Sequence, residues 1–558
     1  MMGPQNQEYI SQELAGVRFI YETLYPDLPV ELHAWWEKAR IPVPAVHEQT
    51  PAYGAELLAL SYIGRQQIGP EATAAQPGKR ALVAIPSPYQ LAQRGGGDMP
   101  WRQRPWHYRL MHRLSPLLAE QAKYLIERRW LARRPVRHKF SRLPFSAGVL
   151  GVAAPAPADK PPAILIGLHW LDVGGAEKLG FDCIHWALEA GLRVIVVTGT
   201  EGAERQAHRL PQDPRVQLVR LSRYLPQGLH NAFIGRLIAQ ENIILTHNHH
   251  CVPLYDALPT IKLEHPHVVN LDSTHIVEYA DGGYPRISGV WSNYLDHHHV
   301  ISGELLNFYR QNFRVHGSKA VLGRLLDDAE RSAEAAPVRI RDGQTRCRVV
   351  FIGRMVHQKR PVVVAAIIRR LLKWGRRNGV EFSFDLVGEG PYRAALEHLL
   401  TRWRIAGQVR LHGAGTDVPA LLAKSDVLLL PSANEGLALV CYEAIAAGCV
   451  PVSSDVGAQN EICPPQTLVP WSPHGAVRET AAVVERLLRE PGFAASVETA
   501  QRAKLDALRA EPSAREVVMK IYRQALAAAP GQPDPQPVRV AAGAAAETAG
   551  EVLAEDVV

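Results

Sequence analysis

Short runs of apolar residues alternate with amphipathic segments through most of the chain. Within residues 161–340 the first run is Ala163–Leu168, and a polar, glycine-containing loop leads from it into a helix predicted at 176–190. The next apolar run, 192–197, completes a β-α-β unit. Such alternation predicts a parallel sheet covered by helices on both faces. Further strands are predicted at 216–221, 243–246, 268–271 and 300–302.

The same alternation returns in residues 341–528. Two such units in series predict an α/β protein with two Rossmann-like domains that face each other across a cleft. Ligands of such sheets bind where the parallel strands end at their carboxyl side. One amphipathic helix places five apolar side chains on one face: Val364, Ile367, Ile368, Leu371 and Leu372. The predicted strands are 349–352, 384–387, 409–411, 427–430 and 450–453.

The two ends of the chain depart from this pattern. Residues 1–160 are irregular and rich in Pro and Trp, and we treat them as an N-terminal extension. Residues 529–558 contain mainly Ala, Pro, Gly and Glu. Because this tail has too little bulky apolar surface to offset the entropy cost of ordering, we expect it to be disordered.

The composition is that of a globular protein, with 47% apolar and 21% charged residues among 558. The net charge of +7 is a mild basic bias, which suits acidic ligands such as nucleotides or anionic lipid. No run approaches the roughly 18 apolar residues of a membrane-spanning helix, and the polar residues 1–13 show no secretory signal. Six cysteines without a Cys-x-x-Cys pair are typical of reduced thiols, so we expect a cytoplasmic protein.

The segment 101–140 combines eleven Lys or Arg residues with several aromatic side chains. A helix is predicted to start at Ser115 and Pro116, which are favoured residues at the N-cap and the first helical position. A basic amphipathic helix with interfacial Trp can lie on an anionic membrane, which would place the protein at the inner face of the membrane. The alternative is a helix docked on the rest of the protein with a solvated basic face. Its predicted apolar stripe is Leu118, Ala122, Leu125 and Ile126.

The most informative motif follows a predicted strand and contains Glu435, Gly436, Leu437 and, eight residues after the first glutamate, Glu443. Glu435 falls in the loop before the next helix, beside the free N–H groups of the helix start. Those groups and the helix dipole favour a diphosphate. Glu443 lies within the helix and can accept hydrogen bonds from a vicinal diol such as that of a ribose. The alternative is a surface helix with two ordinary glutamates.

A second motif consists of Gly353, Arg354 and Lys359, again directly after a predicted strand. The glycine turns the chain, and two cations follow five residues apart. An arginine fork and a lysine point charge would stabilise the negative charge on a departing nucleoside diphosphate. The alternative is a basic loop that caps the sheet.

The first half of the chain offers weaker signals. Gly174 and Gly175 follow its first strand, where their backbone N–H groups can approach a phosphate closely; the alternative is a tight strand-to-helix turn. This loop matches neither a Walker loop nor Gly-x-Gly-x-x-Gly, so neither ATP nor NAD is predicted. Histidines cluster at 247–250 and 297–299, but adjacent side chains on a strand point to opposite faces, which disfavours zinc.

Taken together, the motifs resemble the large GT-B family of retaining glycosyltransferases, of the glycosyltransferase family 4-like type with a Glu-x7-Glu signature. Five pieces in the family's order carry the resemblance, all within residues 349–461. Besides the two motifs above, they are the Gly-Glu-Gly turn at 388–390, the His-Gly pair at 412–413 and the glycine loop at 455–461.

The resemblance implies a role for each matching residue. Arg354 and Lys359 would contact the diphosphate, Glu435 would lie near the donor sugar, and Glu443 would bind the ribose. His275, which follows a strand of the first domain, would lie near the donor sugar, with a hydrogen-bonded structural histidine as the alternative. The family usually has Lys-Gly where this chain has Lys359 and Arg360. The remaining donor-binding residues would be Gly174, Gly175, Gly353, Gly436 and Leu437.

The implied activity is the transfer of a sugar from a nucleotide-diphosphate sugar to a glycan, lipid-linked or other acceptor, as in polysaccharide biosynthesis. Retention would follow from a front-face reaction in which the leaving diphosphate helps to deprotonate the acceptor. No Asp-x-Asp stands at the end of a strand, so we expect turnover without a metal, and no nucleic acid partner is predicted. Two alternatives are a nucleotide-sugar epimerase on the same fold and a non-catalytic nucleotide-sugar-binding protein.

Overall fold

The computed structural model describes residues 4–37, 45–47, 62–71, 78–93, 104–133, 160–172, 175–279, 281–413 and 415–529. Three of the sequence predictions therefore fall wholly or partly outside the described residues: the role of Gly174, the two ends of the basic segment at 101–103 and 134–140, and the disordered tail beyond residue 529. Within the described residues, no helix is both long and apolar enough to span a membrane.

The N-terminal extension is more ordered than its sequence suggests, because it begins with two helices and a four-stranded sheet of order β2-β4-β1-β3. Apolar residues alternate along the central strands and point inward, as do Val30 and Leu32 in one strand and Val83 and Ile85 in the other. The unit packs on the first Rossmann-like domain, where Tyr21 donates a hydrogen bond to the Tyr224 carbonyl oxygen at 3.0 Å. Its elements are α1 (Pro4–Leu24), β1 (Val30–Glu37), β2 (Ala45–His47), β3 (Tyr62–Ile68), β4 (Lys79–Pro86) and α2 (Pro88–Gln93).

Two further helices of the extension form a hairpin, α3 (Trp106–Leu114) and α4 (Pro116–Arg133). This hairpin packs on the second Rossmann-like domain rather than on the first. The ring of Tyr124 lies 4.8 Å from that of Trp471, centroid to centroid. The hydroxyls of Tyr108 and Tyr392 are 3.0 Å apart. The extension therefore contacts both halves of the molecule.

The first Rossmann-like domain contains seven parallel strands in the order β11-β10-β9-β8-β5-β6-β7. All seven residues of the central strand, Ile243–His249, are buried, as a parallel sheet covered on both faces requires. The strands are β5 (Ala163–Leu168), β6 (Arg193–Thr198), β7 (Val216–Val219), β8 (Ile243–His249), β9 (Val269–Thr274), β10 (His297–Val300) and β11 (Ala320–Leu322). The helices are α5 (Gly175–Glu189), α6 (Leu221–Tyr224), α7 (His230–Glu241), α8 (Val252–Glu264), α9 (Gly283–Val290), α10 (Gly303–Phe313) and α11 (Asp328–Ser332).

The second Rossmann-like domain contains six parallel strands in the order β14-β13-β12-β15-β16-β17. The predicted α/β class with two Rossmann-like domains is thereby confirmed. The strands are β12 (Arg346–Ile352), β13 (Glu381–Val387), β14 (Val409–His412), β15 (Val427–Leu430), β16 (Val450–Ser454) and β17 (Leu468–Val469). The helices are α12 (Pro361–Asn378), α13 (Arg393–Arg402), α14 (Val418–Leu422), α15 (Leu439–Ala446), α16 (Gln459–Ile462), α17 (Pro473–Arg489) and α18 (Phe493–Arg509).

The final helix, α19 (Ala514–Ala527), returns to the first domain. The hydroxyl of Tyr522 lies 2.7 Å from Nδ1 of His247 on β8. The sequence division groups this helix with residues 341–528, whereas its buried side chains pack on the first sheet. The chain thus crosses the cleft a second time and ties the two domains together.

Candidate active site

Four of the predicted site residues lie on two loops at the point where the strand order of the second sheet reverses. Strands β12 and β15 are neighbours there, so the loops that follow them lie side by side, which is where ligands of open α/β sheets bind. The first loop carries Arg354 and Lys359, and the second carries Glu435 and Gly436. Nζ of Lys359 donates to Oε1 of Glu435 at 2.5 Å.

The loop backbones fix this ion pair in place. The carbonyl oxygen of Gln358 accepts a hydrogen bond from the Ala433 N–H at 2.7 Å. The Gln358 side chain donates in turn to the Asn434 carbonyl oxygen at 2.9 Å. Glu435 is only 5% exposed. A protonated lysine has three N–H donors, so Lys359 can hold this carboxylate and still donate to a diphosphate oxygen.

Gly436 is one of the points at which the second domain touches the first. A Cβ atom at this position would lie 2.0 Å from the carbonyl oxygen of His275. Asn434 reinforces the contact by donating to the Val277 carbonyl oxygen at 2.9 Å. Gly457 packs against the same loop from the other side. Its φ is +57°, and a Cβ atom there would collide with the Glu435 carbonyl oxygen. The closed cleft therefore depends on a missing side chain.

We expect Gly436→Ala to reduce sugar transfer by more than about tenfold, because its methyl group would hold the domains apart and misplace the donor groups. Transfer rate and thermal stability are the measurements. The control is Gly407→Ala in the same domain, where a Cβ meets nothing within 4 Å. Equal rates in the two variants would mean that the closed contact is not needed for turnover.

His275 directly follows β9, and its backbone rather than its ring makes the contact with Gly436. The ring is buried, and Nε2 has no hydrogen-bond partner in the described part of the chain. Burial lowers the pKa of His275 to about 3. The imidazole is therefore neutral at physiological pH and can accept or donate a hydrogen bond, but it is not a cationic group.

Glu443 lies on α15, with its side chain open to solvent. Desolvation by the surrounding protein raises the pKa of Glu443, with a further increase from Glu330 and a decrease from Lys178. Both neighbours belong to the first domain, so Glu443 faces the cleft. A solvent-accessible carboxylate in a partly desolvated cleft is suited to accept hydrogen bonds from a diol.

Arg354 acts across the cleft on the first domain. Burial raises the pKa of Glu177, and the positive charge of Arg354 opposes part of that increase. Glu177 also accepts a hydrogen bond from the Trp170 indole at 2.8 Å. Gly175 begins α5, so the described half of the predicted glycine loop stands at a helix N-terminus. Asp172, just before this loop, accepts a hydrogen bond from the Ala203 N–H at 2.8 Å and so anchors the loop.

Arg360 explains the departure from the family's Lys-Gly pair. Its backbone has φ +48°, a left-handed conformation that favours glycine. Its side chain is 1% exposed, and Nη1 donates to the Trp471 carbonyl oxygen at 2.6 Å. Nη2 lies 4.0 Å from a carboxylate oxygen of Glu127 on the hairpin. The loop keeps the glycine conformation, and the arginine uses it to reach the extension.

Sequence reasoning missed a buried histidine network in the first domain. His247 contacts the Tyr522 hydroxyl through Nδ1 and the Ser273 hydroxyl, at 2.8 Å, through Nε2. His249 lies two residues later and shares its face of the strand, so Cys183, His247 and His249 bring ligand atoms within 4.8 Å of one another. Both ring nitrogens of His247 are already engaged, which favours a hydrogen-bond network over a metal site.

Comparison with known proteins relates the part of the chain that carries this site to a family. Residues 346–490 match the family described as glycosyl transferases group 1. The match covers the second Rossmann-like domain from β12 to the end of α17, including Arg354, Lys359, Glu435 and Glu443. That domain is therefore related to the group 1 glycosyltransferases, and the two Rossmann-like domains across a cleft are the GT-B arrangement.

Curated relatives match parts of the chain. One of the subunits of the phosphatidylinositol N-acetylglucosaminyltransferase of Homo sapiens is 24% identical over 319 residues, which is 54% of this chain and 63% of that protein. The glycogen synthase of Mycobacterium tuberculosis is 30% identical over 192 residues, or 34% of this chain and 44% of that protein. The chain thus spans less than two thirds of the length of these relatives.

Solved structures are similar to this chain at low sequence identity. Sucrose-phosphate synthase from Thermosynechococcus elongatus gives a TM-score of 0.49 at 18% identity, covering 66% of this chain and 100% of that one. The Anabaena protein HepE in complex with UDP and glucose gives 0.46 at 14% identity, covering 66% and 98%.

Proposed function

We propose that the protein is a retaining glycosyltransferase of the family 4-like type, which transfers a sugar from a nucleotide-diphosphate donor. The observation that carries this proposal is the Lys359–Glu435 ion pair, 2.5 Å long, at the strand-order reversal of the second sheet. It lies inside the segment that matches the group 1 glycosyltransferases. A cation held there by a buried carboxylate is placed to receive a diphosphate.

The proposed reaction is a front-face transfer. Arg354 and Lys359 bind the diphosphate and stabilise its charge as the sugar bond breaks. Since Glu435 is engaged by Lys359, it positions the lysine and the sugar rather than serving as a nucleophile. His275 contributes as a neutral hydrogen-bonding group, because its pKa of about 3 leaves it uncharged. The leaving diphosphate takes up the acceptor proton.

The backbone completes the donor site. Gly353 and Gly436 let the two loops approach the donor, and Leu437 lies buried at the turn into α15. Gly175, at the start of α5, approaches the phosphate from the first domain, and the same role stays a prediction for Gly174, which lies outside the described residues. The reaction needs no metal in this proposal, since the two cations and the start of α15 supply the positive charge.

The acceptor is proposed to be a glycan or a lipid-linked molecule, as in polysaccharide assembly. Two relatives carry names that fit these classes, one for transfer to phosphatidylinositol and one for glycogen synthesis. We place the reaction in the cytoplasm, at the inner face of the membrane where the acceptor is lipid-linked.

An epimerase on the same architecture remains the second candidate. It would act on the nucleotide sugar alone, whereas a transferase consumes its donor rapidly only with an acceptor. The solvent-accessible Glu443 in the cleft suits both activities. Donor consumption with and without added glycan therefore separates the two.

We expect one of UDP, GDP or ADP to raise the melting temperature of the wild type by several degrees at about 100 times its Kd. Glu443→Ala should weaken the binding of that nucleotide by about ten- to a hundredfold, because the carboxylate that accepts hydrogen bonds from the two ribose hydroxyl groups is lost. The control is Glu485→Ala on the outer face of α17. If every nucleotide stabilised Glu443→Ala as well as the wild type, the assignment of the ribose to Glu443 would be wrong.

A further inference from the structure

The outer face of the α3–α4 hairpin is apolar. A helix that docks on the protein through its apolar stripe would instead leave its polar face outward. The predicted stripe points outward: Leu118 is 58% exposed, Leu125 53% and Ile126 49%. Within the described residues, eleven large apolar side chains are strongly exposed and nine of them lie on this hairpin. They are Trp106, Leu110, Met111, Leu114, Leu118, Leu125, Ile126, Trp130 and Leu131.

The charges of the hairpin are sorted between its two faces. Its outer side exposes Arg109, Arg113, Arg128 and Arg129 among the apolar residues. Both acidic residues, Glu120 and Glu127, are buried on the inner side. Among residues 104–131, the outer surface therefore presents cations and apolar side chains without a carboxylate.

The inner face holds the loop of the candidate active site. Oε1 of Glu127 lies 2.9 Å from Nε2 of His357, and Arg360 approaches the same carboxylate. Between the hairpin and this loop opens a cavity of about 590 Å³. Its basic lining residues are Arg104, His107, Lys123, Arg354 and His357.

We propose that the outer face of the hairpin docks on an anionic phospholipid bilayer. Helix α4 has 18 residues, which gives it a length of about 27 Å. Two exposed tryptophans of this surface, Trp106 and Trp130, suit the interface between headgroups and acyl chains. The arginines match the negative charge of the lipid surface. The docking itself does not depend on the proposed function. Only its consequence does, namely that docking brings the donor loop to the membrane surface.

Vesicle co-sedimentation of the full chain tests this surface. The wild type should bind phosphatidylcholine vesicles that contain phosphatidylglycerol, and it should bind pure phosphatidylcholine at least about tenfold more weakly. Each of the two double variants, Leu118→Ser/Leu125→Ser and Arg128→Glu/Arg129→Glu, should bind the anionic vesicles about tenfold more weakly than the wild type, or weaker still. High salt should strongly reduce the binding of the wild type. The matched controls are Leu263→Ser, at a leucine 54% exposed on α8, and Arg236→Glu on α7.

Equal binding by the wild type and both hairpin variants would overturn the proposal, as would absence of binding to anionic vesicles. A stable dimer that Leu118→Ser/Leu125→Ser dissociates, without vesicle binding, would also overturn it and assign the face to a second copy. Circular dichroism establishes that each variant is folded. Vesicle binding without any nucleotide-induced stabilisation would contradict the proposed function and leave the docking surface intact.

Discussion

Replacing Lys359 with alanine should reduce sugar transfer by about 10² to 10³-fold, the size seen when one preorganised charge donor is lost from an active site. The lysine lies between the two loops at the strand-order reversal and holds Glu435 at 2.5 Å. Without it, the departing diphosphate loses one of its two predicted cations, and Glu435 is left as a buried, unpaired carboxylate. Single-turnover transfer rates measure the loss.

The stability cost of the unpaired carboxylate has to be separated from the loss of chemistry. Removing one partner of a buried pair costs roughly 3–5 kcal/mol, so Lys359→Ala should also lower the melting temperature. The double variant Lys359→Ala/Glu435→Gln removes the buried charge and should recover most of that stability, but not the transfer rate. Lys262→Ala, which breaks an ion pair with Asp296 in the first domain, is the control. A transfer rate restored along with stability would refute the electrostatic role of Lys359.

The sequence was most informative where a short apolar run predicts a strand and the polar loop after it predicts a site at the same edge of the sheet. The runs that became β12 and β15 are short, apolar and followed by polar loops, so the parallel sheet and the loops at its carboxyl edge could both be predicted. The pairing of Lys359 with Glu435 could not, because the two residues are 76 positions apart and meet only through the strand order. Spacing along the chain carries no information on that order.

The extension shows the opposite case. Its two central strands alternate buried and partly buried residues, but the irregular sequence around them hides the pattern from a reading by composition. In the hairpin the helix itself was predictable, whereas the direction of its apolar stripe was not. Glu120 and Glu127 are buried because they make ionic contacts with His357 and Arg360 of the second Rossmann-like domain. A helix read alone would turn its charges outward, and only the tertiary partner reverses this.

Mild acid should unfold the first domain, with stability falling steeply below pH 6.5. The cause is a set of buried histidines in the first domain whose pKa values burial lowers, with His275 at about 3 and His299 at about 4. The pKa values of His247, His249 and His250 lie well below the ordinary value for the same reason. Below pH 6.5 the unfolded chain binds protons on these side chains and the folded chain does not. Unfolding is therefore favoured as the pH falls towards the folded-state values.

The size of the effect follows from the number of groups. Each costs about 1.4 kcal/mol per pH unit below 6.5, so five sum to an upper limit of about 7 kcal/mol per unit. Total stabilities are about 5–15 kcal/mol, and we expect unfolding near pH 5. Urea titrations at several pH values measure the slope. His249 has a ring without a hydrogen-bond partner in the described structure, so His249→Leu should reduce the slope of the unfolding free energy against pH by the equivalent of about one bound proton. His316→Asn at the surface should leave this slope unchanged. If His249→Leu kept the wild-type slope, then protonation of the buried cluster would not be what limits stability in acid.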